Sequence, residues 1–271
     1  MIQQLTPAQY HAIGRKGPIS EWMLSKSMLF DFAKSPYAWK YRLDKGERKE
    51  VTESMEWGTA IDTLATSPDE FASVVQFVDA ATWIGKAAQE QRQAIRASGK
   101  VPMLEKDRGR VQQAAEMLFH HFCRHGLNKA QKQVAATSTW TGASGRVYTL
   151  KCLADFWQPL ADLKTTRSLD AKALKYTIAD FGYHWQAAMY ADCFRANGQE
   201  VPEEFPLHFQ EASEPFRTRV WHITPNDIAA GRREYLAALE AWDFAVSTDT
   251  WGSTEMEPIE NRNAIYTTET P

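Results

Sequence analysis

Cysteine is scarce in this chain. Of 271 residues only Cys123, Cys152 and Cys193 are cysteine, and no C-x-x-C pair occurs. Three thiols cannot pair fully, and without clustered spacing neither a disulfide framework nor a cysteine-built zinc or redox centre is expected. Long apolar runs are missing too: no stretch of about eighteen apolar residues exists to cross a bilayer. The opening segment MIQQLTPAQYHAIGRKG lacks the apolar core of a secretory leader. These absences make a reducing cytoplasm the expected location. There is no excess of one charge either. Lys and Arg number 31, Asp and Glu 34, and the net charge of −3 excludes a diffuse basic coat. Hydrophobic residues at 44% and charged residues at 24% exclude a disordered chain. No repeat, low-complexity tract or linker divides the sequence. One domain over 1–271 is expected, with an N-terminal arm over 1–20 and a loosely ordered tail from about 256 to 271.

The small net charge hides segregation. From Gln199 onward 14 acidic and 5 basic residues give −9, which leaves +6 on the first 198. A basic body with an acidic final third points to polyanion contacts in the first two-thirds, with the acidic third on outer or subunit-facing surfaces.

Hydrophobic periodicity gives the element order. Ile19 to Arg42 reads as one helix or two short ones, with Ser25 and Ser27 as candidate N-caps and a second start at Pro36. Lys45 to Glu56 reads as a charged loop before a helix that begins at Trp57 and ends near Ser67-Pro68. Phe71 to Val78 reads as extended or irregular, and Gln89 to Arg96 as too polar for a core. Val111, Ala114, Ala115, Leu118 and Phe122 recur at helical spacing, and Gly126 stops that helix. Val134–Thr141, Gly145–Phe156 and Leu160–Thr165 then read as strands, the first two joined by a hairpin-type turn. Helix is expected over Ala171–Ala196, strands over Leu207–Gln210 and Thr218–Ile223, and a last helix from the Thr224-Pro225 cap to about Val246. The order predicts an α/β domain with a mixed central sheet flanked by helices.

The residues with chemistry to offer lie in the strand cluster. Asp155 ends one predicted strand, and Asp162 and Lys164 lie two apart on the next, so they share a face. Gln158-Pro159 makes a tight turn that lets the two strands pair. Adjacent carboxylates bind a hard cation such as Mg²⁺. A lysine beside them can orient the water that attacks a phosphodiester, whose attacking and leaving oxygens the cation stabilises.

The segment from Leu150 through Asp155 to Asp162-Leu163-Lys164 resembles the core of the PD-(D/E)XK nuclease superfamily. Three further elements agree, in order. Ser25-Lys26-Ser27-Met28-Leu29 through Ser35-Pro36 is similar to the N-terminal signature of the RecB-type branch. Gly58-Thr59-Ala60-Ile61-Asp62 resembles its G-T-x-x-H element, with Asp62 where the family has a metal-site histidine. Gln186-Ala187-Ala188-Met189-Tyr190 matches its Q-x-x-x-Y helix, and an i, i+4 pair faces one way. The resemblance is closest to the RecE-like (exonuclease VIII) branch and runs from about Ser20 to about Thr248.

That resemblance implies a restriction-endonuclease-like core and a Mg²⁺-dependent exonuclease, with Mn²⁺ able to substitute. It implies digestion of one strand of linear double-stranded DNA, 5′ to 3′, to leave a 3′ tail for recombination. It further implies a ring-shaped homo-oligomer (trimer or tetramer), a single-strand annealing partner and a phage or prophage setting. Asp62, Asp155, Asp162 and the Leu163 carbonyl would hold the metal, Lys164 would position the water, and Gln186 and Tyr190 would complete the site. An endonuclease with the same metal site is the alternative, and the departure at Asp62 also admits an inactive DNA-binding relative. Some relatives hold an iron–sulfur cluster with a cysteine just before the signature proline; here that place is Ser35, so no cluster is expected.

Other candidates are secondary. Ser25, Ser27, Lys40, Arg42, Lys151, Arg167, Lys172 and Lys175 are candidate DNA contacts, because basic residues gather near both motifs. Lys34, Lys45, Arg48 and Lys49 extend the first stretch, where Trp39 fits base stacking and core packing equally well. Glu53 and Glu56 could add carboxylates, although a solvated charged loop fits them better. His121 and His125 are spaced i, i+4 without an acid, as expected of surface histidines.

Overall fold

A computed structural model describes residues 1–14, 16–47 and 50–252. The tail expected from about 256, and Arg48 and Lys49 of the basic stretch, lie outside the described residues. The chain opens with β1 (Ile2–Gln4), α1 (Pro7–Ala12), β2 (Leu24–Ser25), α2 (Lys26–Lys34) and α3 (Pro36–Asp44). Next come α4 (Glu53–Thr66), α5 (Phe71–Val74), β3 (Val75–Val78), α6 (Lys86–Ala97), β4 (Val101–Leu104) and α7 (Arg108–Arg124). The second half holds β5 (Gln131–Thr141), β6 (Val147–Trp157), β7 (Asp162–Thr166), α8 (Ala171–Asp180), α9 (Tyr183–Arg195), β8 (Phe205–Glu211), β9 (Thr218–Ile223) and α10 (Pro225–Thr248). The fold class is the expected mixed α/β arrangement, with a central mixed sheet and flanking helices.

The sheet has two parts. One has the order β1-β5-β6-β2, antiparallel except that β2 runs parallel to β6, with Leu24 opposite Leu150. The other has the order β7-β8-β9, with β7 parallel to β8 and β9 antiparallel. Contrary to expectation, β6 and β7 do not pair along their length. A single antiparallel bridge, Phe156 to Ala161, joins them, because β7 spends its backbone groups on β8 instead. A separate parallel pair, β3 and β4, was not legible in the sequence.

Local signals set most boundaries. Ser35 caps α3 by accepting a bond from the Ala38 N–H at 3.2 Å, with Pro36 in the first turn. Thr224 and Asp227 form a reciprocal capping box on α10. The apolar stripe of α7 is buried as predicted, and Gly126 ends it at φ 70°. Two expectations fail. The helix before Ser67 starts at Glu53 rather than Trp57, capped by Thr52, so the charged loop is shorter. The helix expected over Ala171–Ala196 breaks at Phe181-Gly182: Gly182 has φ 60°, and a Cβ there would lie 2.4 Å from the Phe30 ring.

Two apolar clusters form the core. One packs α2, α9 and α10 around Phe32, Phe194 and Trp242. The other packs α4 and α7 around Ile61, Leu118 and Phe122. Trp39 belongs with the first: its ring stacks on Trp251 at 5.9 Å and meets Trp242 edge-on at 5.1 Å, so it is a packing residue and not a base-stacking one. Cys152 and Cys193, distant in sequence, are both buried in this core; the Cys152 thiol donates to the Ala136 carbonyl at 3.5 Å, and Cys193 Sγ lies 3.4 Å from Ser138 Oγ.

Glu56 fixes α4 in place. It is 3% exposed and takes ion pairs from Arg92 and from Arg96 (2.7 Å) on α6, so it serves the scaffold rather than the metal motif. Glu53, exposed, takes only the outer bond from Arg92 at 2.9 Å. Glu56→Ala removes the buried carboxylate from both guanidinium groups, leaving Arg92 with Glu53 and Arg96 with the Val51 carbonyl, and is expected to lower stability by about 3 kcal/mol in urea titration. Glu53→Ala should cost less than about 1 kcal/mol. Equal losses would show that the buried pairing does not hold α4.

Candidate active site

β7 brings its two charged residues to one side. Asp162 is 2% exposed, and its Oδ2 is in ion-pair contact with Lys164 Nζ. The approach lies outside hydrogen-bond geometry, which leaves that buried oxygen without a hydrogen bond. Asp155 reaches the same corner from β6: its Oδ2 accepts the Leu163 N–H at 2.9 Å. This one bond does what strand pairing was expected to do. The N–H and C=O of a strand residue share one edge, so the Leu163 carbonyl lies on the same edge of β7 as this N–H.

Asp62 enters from α4. Gly58, one turn earlier, lets the helix lie on β7, where a Cβ would rest 3.5 Å from Thr165 Oγ1. Burial pushes the Asp62 carboxyl up to about 6; Lys132 opposes this and Asp162 adds to it. Burial likewise raises Asp155 well above the carboxylate range, reinforced by Asp162 and Asp62 and opposed by Lys164 and the Leu163 N–H. Burial disfavours the charge on Lys164, but Asp162, Tyr183 and Asp155 outweigh it and raise its pKa. The three acids therefore feel one another, and Lys164 acts on Asp155 and Asp162. On α9, Gln186 is buried and Tyr190 follows one turn later. Burial, then Asp162, Tyr10, Cys152 and Asp155, push the Tyr190 hydroxyl well up, which places it against the same corner.

Among the described residues, no three His, Cys, Asp or Glu side chains are gathered into a ready metal cage. The donor chemistry nevertheless suits a hard cation. All donors are oxygens, Asp162 Oδ2 has no hydrogen bond beyond its ion-pair contact with Lys164, and burial holds two of the acids above their ordinary pKa.

Sequence reasoning missed two lysines here. Burial lowers Lys26 to about 7, with Lys164 lowering it further and Asp162 opposing. Burial lowers Lys132 to about 8 against the pull of Asp62 and Asp155. Lys132 Nζ donates to the Leu127 carbonyl at 2.9 Å and lies 3.7 Å from the Phe156 ring centroid. Lys26 stood in plain view between the signature serines; nothing at Lys132 marked it.

The candidate DNA contacts divide. Ser27, Arg42, Arg167, Lys172 and Lys175 are exposed. Ser25 is buried, its Oγ 3.3 Å from that of Ser27. Lys40 is tied to Asp44 at 2.6 Å. Lys151 is buried and donates to the Tyr10 and Ile13 carbonyls at 2.9 and 2.7 Å, so it straps the N-terminal arm to β6 and is not a phosphate contact. A polar cleft of about 480 Å³ lies between the β7–α8 loop and β9, lined by Ser168, Leu169, Asp170, Arg217, Thr218 and Arg219. It draws its arginines from the acidic third. His121 is also a correction: it is buried, with Nε2 2.8 Å from His208 Nδ1.

No match is found among curated protein sequences. A crystal structure described as "Putative exonuclease" from Eubacterium rectale superposes with TM-score 0.59 at 18% identity, covering 91% of this chain and 88% of that one. The similarity shows a shared fold. A second structure, of SSO0001, gives TM-score 0.32 at 16% identity over 79% of this chain and 86% of its own, too distant to carry an argument. The profile of the PDDEXK-like domain of unknown function (DUF3799) matches residues 25–255, spanning all the motif elements from Ser25 to Tyr190, and the chain belongs to that family.

Proposed function

We propose that this protein is a divalent-metal-dependent exodeoxyribonuclease that uses Mg²⁺, or Mn²⁺ in its place. The observation that carries the reading is the convergence of Asp155, held on the Leu163 N–H, with the Asp162–Lys164 pair and with Asp62 of α4. Family membership and the fold shared with a protein described as an exonuclease support it. Asp62, Asp155, Asp162 and the Leu163 carbonyl would hold the cation. When bound, the cation supplies charge stabilisation to the oxygens of the phosphodiester under attack.

The chain's own groups do the rest. Lys164, kept as an ammonium by its acidic neighbours, donates hydrogen bonds and so orients the attacking water rather than taking its proton. Tyr190 keeps its proton and remains a donor, with buried Gln186 one turn earlier on α9. Arg217 and Arg219 at the polar cleft, with exposed Arg167, are suited to backbone phosphates. In the same reading the enzyme attacks one strand of linear duplex DNA from its 5′ end, as a ring-shaped RecE-like oligomer that hands a 3′ tail to an annealing protein.

The test uses purified protein with Mg²⁺ on a linear duplex labelled separately at its 5′ and 3′ ends, beside a closed circle. Early release of the 5′ label with an intact circle is expected. Lys164→Ala should slow release by about a thousandfold, as removal of a transition-state donor does. A variant that digests normally sinks the assignment, and a cleaved circle makes the enzyme an endonuclease.

A second test needs no turnover. The Asp62 carboxyl titrates at about 6 when folded, against roughly 3.9 unfolded. Because the folded value is raised, its favourable contribution is complete below about pH 4 and is lost as pH rises through 6. Asp62→Asn in EDTA at pH 8 should therefore be more stable than the parent, by up to about 3 kcal/mol. Saturating Mg²⁺ should return about 2.7 kcal/mol to the parent at a hundred times Kd, and less to the variant. Thermal melts from pH 4 to 8 that show neither effect would remove Asp62 from the metal site.

A further inference from the structure

We propose that Phe181 and Tyr183 form a base-stacking step beside Lys164 that holds an unpaired nucleotide at the end of the DNA being cut. The proposal rests on the reading of this protein as a DNA nuclease and names how it grips its substrate.

Phe181 sits at the break between α8 and α9 and is 59% exposed. A lone exposed aromatic is ordinary. This one continues a stack into the candidate active site. Its ring lies on that of Tyr183, with centroids 5.7 Å apart and planes within 15°. Tyr183 in turn lies under Lys164, whose Nζ is 4.7 Å from the ring centroid. A base laid on the free face of Phe181 would thus extend a pile of rings that ends at the lysine of the metal motif.

The step is rigid before any ligand arrives. Lys26 Nζ donates to the Phe181 carbonyl. The Phe181 and Gly182 N–H groups close the end of α8 on the Thr177 and Ala179 carbonyls at 3.1 and 3.0 Å. Gly182 presses so closely on Phe30 that only glycine fits. A preorganised aromatic loses little freedom on binding.

Charge complements the rings. Lys26 lies 4.7 Å from the Phe30 ring centroid and 5.7 Å from that of Tyr183, and Lys34 lies 4.4 Å from that of Phe30. Aromatic faces for bases, interleaved with ammonium groups for the phosphates between them, are what single-stranded nucleic acid recognition requires. A duplex interior offers no free base face, so the step selects frayed or tailed ends.

The experiment places 2-aminopurine at the terminal nucleotide of each strand in turn, or at an internal position, of a duplex with a short single-stranded tail. Binding is followed in EDTA, where hydrolysis does not intervene. Terminal fluorescence should be quenched by the parent and by Phe181→Trp, and the internal probe should not. Phe181→Ala and Phe181→Leu should lose the quench and bind the tailed duplex about tenfold more weakly, the loss of one stacked base. Phe244→Ala removes an aromatic of equal exposure, 59%, on α10 and should change nothing. Quenching and affinity that survive Phe181→Ala overturn the proposal while leaving the nuclease reading intact. Phe181-dependent quenching by a protein that never cuts DNA in Mg²⁺ supports the step and overturns the nuclease reading. A parent that binds no DNA end overturns both.

Discussion

Asp155 and Asp162 feel each other's charge where β6 meets β7, and Asp62 acts on both from α4; like charges in a partly buried place repel with little water to screen them. Asp62, Asp155 and Asp162 arrive from a helix and two strands that are not paired with one another, so no local preference puts them together. Burial and mutual repulsion raise two of the three, and the surrounding scaffold has to supply the free energy that holds them there. It does so at several points. Glu56 clamps α4 to α6 through two arginines. The parallel pairing of β7 with β8 fixes Asp162. On the far side Phe194 of α9 stacks on Trp157 of β6 with centroids 4.1 Å apart, which seats the helix of Gln186 and Tyr190 against the strand of Asp155.

The parts of this arrangement that were legible in the sequence are those set by local chemistry. The stripe of α7, the Thr224 box and the helix start at Pro36 depend on residues a few positions apart, and each element forms where its spacing says. The alternation of β7 put Asp162 and Lys164 on one side, as any strand would. What could not be read depends on distant partners. Leu24–Ser25 is too short to announce a strand and is one only because Leu150–Lys151 lies beside it. The helix break at Gly182 is dictated by Phe30, some 150 positions earlier. Lys151 looked like a surface cation because its partners, the Tyr10 and Ile13 carbonyls, carry no side-chain signature.

The charge map also changes meaning once folded. The acidic final third was expected on outer surfaces, yet two of its acids are internal. Asp243 accepts bonds from the Ser144 N–H at 2.8 Å and the Tyr148 hydroxyl at 2.9 Å, pinning the β5–β6 turn to α10. Glu211 takes Arg217 in a two-pronged pair at 2.7 Å and receives the Leu169 N–H. These acids are structural anchors, and Arg217 and Arg219 turn one edge of the same segment toward a polar cleft. A sum over sequence therefore says less about where a polyanion can lie than the pairing of individual charges does.

Asp62 is where sequence and fold bear most directly on each other. Against the neutral imidazole of the G-T-x-x-H element that this segment resembles, an aspartate adds a negative charge beside Asp155 and Asp162. The fold answers with lysines: Lys132 pulls on Asp62 and Asp155, Lys164 on Asp162, and Lys26 stands behind Lys164. Burial and repulsion push Asp62 and Asp155 toward their neutral forms, and burial does the same to Lys26 and Lys132, so the corner carries less charge than a count of its six groups gives. Two of those lysines, at about 7 and about 8, titrate near neutral pH and can release a proton when other positive charge arrives. Asp62 and Lys132 are thus an opposite-charge pair separated by 70 positions that only the folded chain brings into one electrostatic unit.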